Sequence, residues 1–119
     1  MGKRFNYENL EITKLALELI DLVFKLADKV PKEEKFILAD HPRRAVLSIL
    51  FNIAEGSGKF SKQDYARFIR NSIGSLLEVD VGLVVALRRK YISPAEKSIA
   101  RQKIEQLYFK LIAFEKAYR

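Results

Sequence analysis

The segment from Arg43 to Gly56 limits the possible folds of this chain more than any other stretch. Read as a helix, it places apolar side chains over an arc of about 200°, whereas a stripe of roughly 100° is enough for a helix that faces one core. The side chains in that arc are Val46, Leu47, Ile49, Leu50, Phe51 and Ile53. A helix that is apolar around most of its surface has to be covered on more than one side.

A line of polar residues interrupts this apolar surface. It consists of Arg44, Ser48, Asn52 and Glu55, which recur at nearly helical spacing. In a helical hairpin that turns near Gly58, Arg44 comes opposite Glu78, with Asp80 as a second acidic candidate. We predict a partly buried Arg44–Glu78 ion pair, a contact that fixes register more than it adds stability.

Helix boundaries follow from the start and stop signals along the chain. A first helix is predicted over residues 9–30, because Pro31 excludes helical backbone from the residue before it. A third helix over residues 62–90 begins after Ser61, which is positioned as a helix cap with Asp64 three residues later. The sequence SPAE, with Ser93 as the cap, starts a fourth helix.

The second helix has a clear predicted end and an ambiguous start. It reaches Glu55, with Gly56 as the left-handed residue that follows many helices. It begins either near Lys32 with a kink at Pro42, or at Asp40 as a cap with Pro42 in the first turn. In the third helix, Gly74 and Gly82 are costly residues, and we interpret both as points of close backbone approach.

These elements predict an all-α fold. No segment shows the sustained alternation typical of strands, and 49% apolar with 31% charged residues is normal for a globular chain. Four helices with short connections favour an antiparallel up-and-down four-helix bundle, and residues 1–119 are long enough for one such domain.

The bundle carries more apolar surface than one chain is expected to bury. The candidate subunit contacts, all outside the core stripes of their helices, are Leu17, Phe24, Leu47, Phe51, Phe109 and Ile112. Because soluble monomers seldom expose such patches, we expect a homo-oligomer. The alternative is that these bulky residues cover the edges of the bundle.

Positive charge is the main clue to a partner. The chain has 22 basic and 15 acidic residues, a net charge of +7. Candidate nucleic-acid contacts on the turn before the third helix, on that helix and at its end are Lys59, Lys62, Arg67, Arg70, Arg88, Arg89 and Lys90. The alternative is ordinary solvated charge, with the last three favouring the negative end of a helix.

Signals for catalysis or for a membrane are missing from the sequence. It has one histidine, His41, and no cysteine, and it lacks the Glu-x-x-His pairs of di-metal bundles, so we expect no catalytic residue, metal or cofactor. Neither a signal peptide nor an apolar run of about 20 residues occurs, and we expect a cytoplasmic protein with no membrane partner.

One long stretch resembles a known family. RRAVLSILFNIAEGSGKFSKQDYARFIRNSIGSLLEVD is similar to the signature of the four-helix-bundle family encoded in intervening sequences of bacterial 23S rRNA genes. Its pattern is met by Arg44, Ala45, Ser48, Ile49, Asn52, Ile53, Ala54, Glu55, Gly56, Gly74, Ser75 and Glu78. His41 and Pro42 replace the usual Gln and aliphatic residue, which puts a continuous second helix in doubt.

This resemblance implies an assembly and a partner rather than an activity. The family is similar to the accessory variability determinant protein of diversity-generating retroelements, a basic pentamer that binds nucleic acid and a reverse transcriptase. It implies a pentamer, with no enzymatic activity or cofactor. Two functions follow as hypotheses: a non-enzymatic accessory protein that binds RNA or DNA through its basic surface, and a structural adaptor that docks an acidic protein partner.

Overall fold

The structure is a computed structural model, and it describes residues 5–119. Four α-helices form the fold: α1 (Glu11–Ala27), α2 (His41–Ser57), α3 (Lys62–Arg88) and α4 (Pro94–Tyr118). Short 3₁₀ turns cover Asn6–Asn9 and Lys32–Glu34, and a π-helical turn covers Phe36–Asp40. No strand occurs within residues 5–119, which confirms the predicted all-α class with four helices.

The helices pack in a square around one core. Helix α1 packs against α2 and α4, and α3 packs against the same two helices. The largest fully buried side chains come from all four helices and include Leu19, Ile49, Leu76 and Leu107. Burying one such side chain stabilises the fold by about 1.5–3 kcal/mol, so this shared core is the main force that holds the helices together.

The predicted starts of α3 and α4 are confirmed by their capping bonds. Ser93 Oγ accepts a hydrogen bond from the Glu96 amide, while the Ser93 amide donates to Glu96 Oε1 at 2.8 Å. Ser61 Oγ accepts from the Asp64 amide at 3.0 Å. These bonds satisfy amides that an α-helix leaves unpaired at its first turn, and so they fix where each helix begins.

The start of α2 follows the first of the two predicted alternatives more closely than the second. Asp40 has helical backbone angles, φ −68° and ψ −38°, and its side chain does not cap the helix. Its carboxylate instead accepts bonds from Lys35 and Arg43, which hold its pKa below the usual range. The π-helical turn feeds directly into α2, because a wider turn accommodates the missing N–H of Pro42.

The glycines correct two predictions. Gly56 does not end α2 in a left-handed conformation, since the helix continues to Ser57 and no glycine in residues 5–119 has positive φ. A Cβ at Gly56 would lie 2.8 Å from Phe68 Cβ, so this glycine permits close contact between α2 and α3. A Cβ at Gly82 would lie 3.0 Å from the side-chain Cγ of Pro42, as expected for a point of close approach. Gly74 instead faces open space and has no close neighbour among residues 5–119.

Candidate nucleic-acid interface

The seven cationic candidates lie at opposite ends of the bundle. Lys59, Lys62, Arg67 and Arg70 belong to the α2–α3 turn and the first turns of α3, which we call the turn end. The triplet 88–90 lies at the other end of α3, which we call the far end. The distance along α3 between Lys62 and Arg88 is about 39 Å at 1.5 Å per residue. One chain therefore presents two basic sites instead of one continuous surface.

At the turn end, two of the cations rest on an aromatic ring. Lys59 Nζ lies 5.0 Å from the centre of the Phe68 ring, and Arg67 Cζ lies 4.6 Å from it. Phe68 is held close to α2 by Gly56. Glu55 and Asp64 reach the same cations at 4.0 Å and 3.5 Å, distances that leave room for a competing anion. These contacts position the cations on one surface.

Arg70 is engaged more firmly than the sequence suggests. Its Nη1 lies 2.6 Å from Oε2 of the buried Glu115, whose other carboxylate oxygen lies 3.2 Å from Nε of Arg119. Beside this pair, the Tyr65 ring packs against Tyr118, and burial, followed by the proximity of Tyr118, raises the pKa of Tyr65 to about 12. Arg70 thus serves to join α3 to α4 and is the weakest phosphate candidate at this end.

At the far end, Arg89 is also paired. Its Nε and Nη2 donate to both oxygens of Glu34, at 3.1 Å and 2.7 Å. Hydrogen bonding from Tyr91, together with Arg89, holds the pKa of Glu34 below its usual range. Nearby, Lys29 and Glu96 form a further ion pair, and the Lys29 hydrogen bond holds the pKa of Glu96 below its usual range. Arg89 therefore anchors the α1–α2 connection.

Lys90 ends α3 in an unusual conformation. Its φ of 67° lies in the left-handed region, where glycine is normally found. The Tyr91 amide donates to the Ala86 carbonyl and the Lys90 amide to the Leu87 carbonyl, both at 2.9 Å. This is the Schellman arrangement of helix ends, with lysine in the glycine position.

Lys90→Gly is expected to stabilise the chain by about 1 kcal/mol, because glycine adopts this conformation without steric cost. Urea denaturation at neutral pH measures the change, and Lys90→Ala, which removes the charge but keeps a Cβ, is the matched control. A glycine variant no more stable than the alanine variant would contradict this reading of the helix end.

Three cationic candidates form no ion pair within residues 5–119. They are Lys62, Arg88 and Lys90, all exposed. Binding a phosphate through them breaks no internal contact, whereas Arg70 and Arg89 would first have to leave a carboxylate. The structure therefore ranks the seven predicted residues by their availability.

The predicted Arg44–Glu78 ion pair is wrong. Glu78 Oε2 instead lies 3.2 Å from His41 Nε2, and both side chains are more than half exposed. The Arg44 guanidinium lies 5.6 Å from the centre of the Phe36 ring. Asp80, the second candidate, pairs with Lys97 and Arg101 on α4. Arg44 and His41 are about 60° apart around α2, and the histidine is the one that faces Glu78.

The middle of the polar line does join α2 to α3. Ser75 Oγ lies 3.0 Å from Ser48 Oγ, and Asn52 Nδ2 donates to the Ser48 carbonyl and hydroxyl oxygens. One turn earlier on α3, the buried Ser72 hydroxyl donates to the Ile49 carbonyl at 2.8 Å. Small hydroxyl side chains thus satisfy one another where the two helices are in close contact.

The predicted subunit-contact residues are uncovered in the single chain. Phe51 is 63% and Phe109 66% exposed, Leu17 and Phe24 are also exposed, and Leu47 and Ile112 are half-buried. They fall on two sides of the square. The α1–α2 face consists of Leu17, Phe24, Leu47 and Phe51. The opposite α3–α4 face consists of Phe109 and Ile112 with three exposed α3 residues that the sequence analysis missed, Leu77, Val81 and Val84.

Two other features were also missed. Phe60, at the tip of the α2–α3 turn, is fully exposed, and its place between two lysines is the signal that could have revealed it. An apolar groove of about 390 Å³ runs beside the start of α2, and no sequence pattern predicts it because its walls come from separate elements. Most of the residues that line the groove are apolar, among them Ile37, Leu38, Pro42, Leu77 and Val81, and the exposed His41–Glu78 pair also lines it.

Metal-binding clusters and membrane-spanning helices are both absent from the part of the chain that the structure describes. Residues 5–119 contain no cluster of three or more His, Cys, Asp or Glu side chains placed to hold a metal ion. None of the four helices combines the length and the apolar composition that crossing a bilayer requires.

Together these features define a class: an all-helical protein of four packed helices with apolar outer faces and a basic site at each end. The chain belongs to the 23S rRNA-intervening sequence protein family, whose profile matches residues 8–113. A crystal structure of a protein of unknown function from the S23 ribosomal protein family of Bacteroides thetaiotaomicron is similar, with a TM-score of 0.81 and 20% identity. The match covers 88% of this chain and 98% of that one, and it concerns the fold. No curated protein sequence matches significantly.

Proposed function

We propose that this chain is a non-enzymatic, homo-oligomeric accessory protein of the cytoplasm that binds RNA or DNA through its basic ends. Residues 1–119 act as one domain in this proposal, and the helices run alternately up and down. Glu11 and Glu18 of α1 pair with Lys110 and Lys103 of α4, an order that supports opposite chain directions. The exposure of two apolar faces is the observation that supports a homo-oligomer.

A ring of five copies is the assembly we favour. The α1–α2 face and the α3–α4 face lie on opposite sides of the bundle and consist of different residues. Two different surfaces that contact each other form a head-to-tail interface, which closes into a ring when the rotation allows. Gly74 supports contact on the α3 side, because an interior helical glycine is costly and nothing in the described part of its own chain occupies the space beside it.

The electrostatics support nucleic acid as the partner. A ring multiplies the net charge of +7, and Lys62, Arg88 and Lys90, which form no ion pair within residues 5–119, recur in every copy. Cations repeated on one particle bind a polyanion with a strong dependence on salt, because each phosphate contact releases a counterion.

The function is tested on purified protein treated with nuclease and then separated from the digest. Light scattering gives the mass of the particle, and fluorescence anisotropy gives its affinity for labelled RNA and DNA at several salt concentrations. We expect a mass of several chains of 13.8 kDa and an affinity that falls steeply as salt rises. A single-chain mass, or no binding at low salt, would contradict the corresponding half of the proposal.

The apolar groove favours a second candidate, the adaptor that docks an acidic protein partner. Its floor is apolar, and Arg88 and Arg89 lie on α3 just beyond Val85 at its end. An acidic amphipathic segment would match both features. Ile37→Asp, in the groove but on neither apolar face, should then abolish retention of a protein that stays bound after nuclease treatment, while nucleic-acid binding remains.

A further inference from the structure

We propose that Phe60 is a stacking platform for an unpaired nucleobase, and that the lysines beside it hold the flanking phosphates. The turn end would then select single-stranded over double-stranded nucleic acid. This inference rests on the proposed function and names the form of nucleic acid that one of its two basic sites takes.

Exposure singles out Phe60. Its side chain is fully exposed at the tip of the α2–α3 turn, more than any other large apolar residue among residues 5–119. An aromatic ring that is exposed to water does not stabilise the fold of its own chain. Its faces are open to a flat partner, and stacking one base on an aromatic side chain contributes about 1–3 kcal/mol to binding.

The residues beside Phe60 supply positive charge. Lys59 precedes it and Lys62 follows two positions later, and Lys62 forms no ion pair within the described part of the chain. Lys62 is also the first residue of α3, where the positive end of the helix dipole adds to its charge. Asp64 offsets part of this field through its contact with Arg67. An anion bound at this point reduces the electrostatic repulsion among the positively charged groups of the turn.

The turn is held in place before any ligand arrives. Ser61 caps α3, and Ser57 Oγ donates to the Ala54 carbonyl at 2.7 Å at the end of α2. The contact between Gly56 and Phe68 fixes the angle at which the two helices meet. A fixed platform loses little conformational entropy on binding, which favours affinity.

The geometry favours a base over the other partners that an exposed phenylalanine can serve. One ring offers too little apolar area to hold a folded protein or to anchor a chain in a membrane. In a duplex the bases are stacked on one another, so the ring has no free face to meet. In a single strand the faces are open, and an aromatic ring flanked by cations is the common device for binding them.

The experiment compares the affinities of Phe60→Ala and of the unsubstituted protein for three ligands: oligothymidine, an abasic oligomer of equal length and charge, and a duplex. We expect Phe60→Ala to weaken oligothymidine binding by roughly tenfold to a hundredfold and to leave abasic and duplex binding unchanged. Phe60→Tyr should retain the affinity and Phe60→Leu should lose it. Phe36→Ala, at an exposed phenylalanine near the far end, is the matched control and should bind all three ligands as the unsubstituted protein does.

Phe60→Trp gives a direct readout, because the chain contains no tryptophan. Stacking should quench its fluorescence with oligothymidine but not with the abasic oligomer. Equal loss with both oligomers, or a Phe60→Leu variant that binds normally, would overturn the proposal. The proposal would also be overturned if Phe60→Ala weakened only the binding to phosphatidylserine-containing vesicles, because Phe60 would then contact a membrane. A change in particle mass would assign Phe60 to a subunit contact instead.

The outcomes separate this inference from the proposed function. If the full chain binds no nucleic acid at low salt, both fail. If it binds single strands and duplex alike and Phe60→Ala changes neither, the basic ends still bind phosphate and only the stacking platform is wrong.

Discussion

Replacing Phe51 by aspartate is expected to leave the chain helical and to reduce the particle to one chain of 13.8 kDa. Phe51 is 63% exposed on the α1–α2 face, so the substitution removes no core contact. A carboxylate in a subunit interface must lose water without gaining a partner, which costs several kcal/mol for every subunit contact of the proposed ring. Light scattering measures the mass, and circular dichroism measures the helix content.

Gln63→Asp is the control for this variant. Gln63 is exposed in the first turn of α3 and is not one of the residues that make up either apolar face, and the change adds the same negative charge. It should keep the mass of the unmodified protein. A Phe51→Asp particle that also keeps its mass would show that the α1–α2 face is not the subunit contact.

Asp80→Ala is expected to destabilise the chain by about 3 kcal/mol, a large share of the stability of a small domain. Asp80 Oδ1 lies 3.2 Å from Nζ of Lys97, and their side chains are 19% and 10% exposed. Removing the carboxylate leaves the lysine charge in a mostly buried place without its partner. The midpoint and slope of urea unfolding give the free energy.

Two further variants test the cause of that loss. Glu105→Ala removes an exposed partner of Arg101 and should cost less than about 1 kcal/mol. Asp80→Leu combined with Lys97→Met replaces the ion pair by apolar groups and should recover most of the stability. If the double variant is as unstable as Asp80→Ala, the loss comes from packing and not from an uncompensated charge.

Local signals predicted the fold well where one residue type decides the outcome. Ser61 and Ser93 were recognised as helix caps because few side chains can accept a bond from the first-turn amides. The sequence allows two starts for α2, because a π-helical turn has no comparable signature. The end of α3 departs from the rule that places glycine there, since Lys90 takes the strained position and the Schellman bonds still form.

The sequence proposes the cations of the candidate site and their order along α3, but it does not show which of them are available. The predicted bounds of α3 already separate Lys62 from Arg88, whereas the pairing of Arg70 with Glu115 and of Arg89 with Glu34 depends on how the helices pack. The choice of His41 over Arg44 as partner of Glu78 depends on a rotation of about 60° around α2. Exposed ion pairs contribute less than about 1 kcal/mol, so sequence energetics hardly distinguish such alternatives.

The separation of the two basic sites also gives the proposed assembly a direction. Rotation about a single axis keeps every copy of a residue at one height and one radius. All copies of Phe60 then lie on one circle, and all copies of Arg88 lie on a second, separate circle. A ring of this symmetry has two unlike sides, so the turn end and the far end present separate and different basic surfaces to a bound strand.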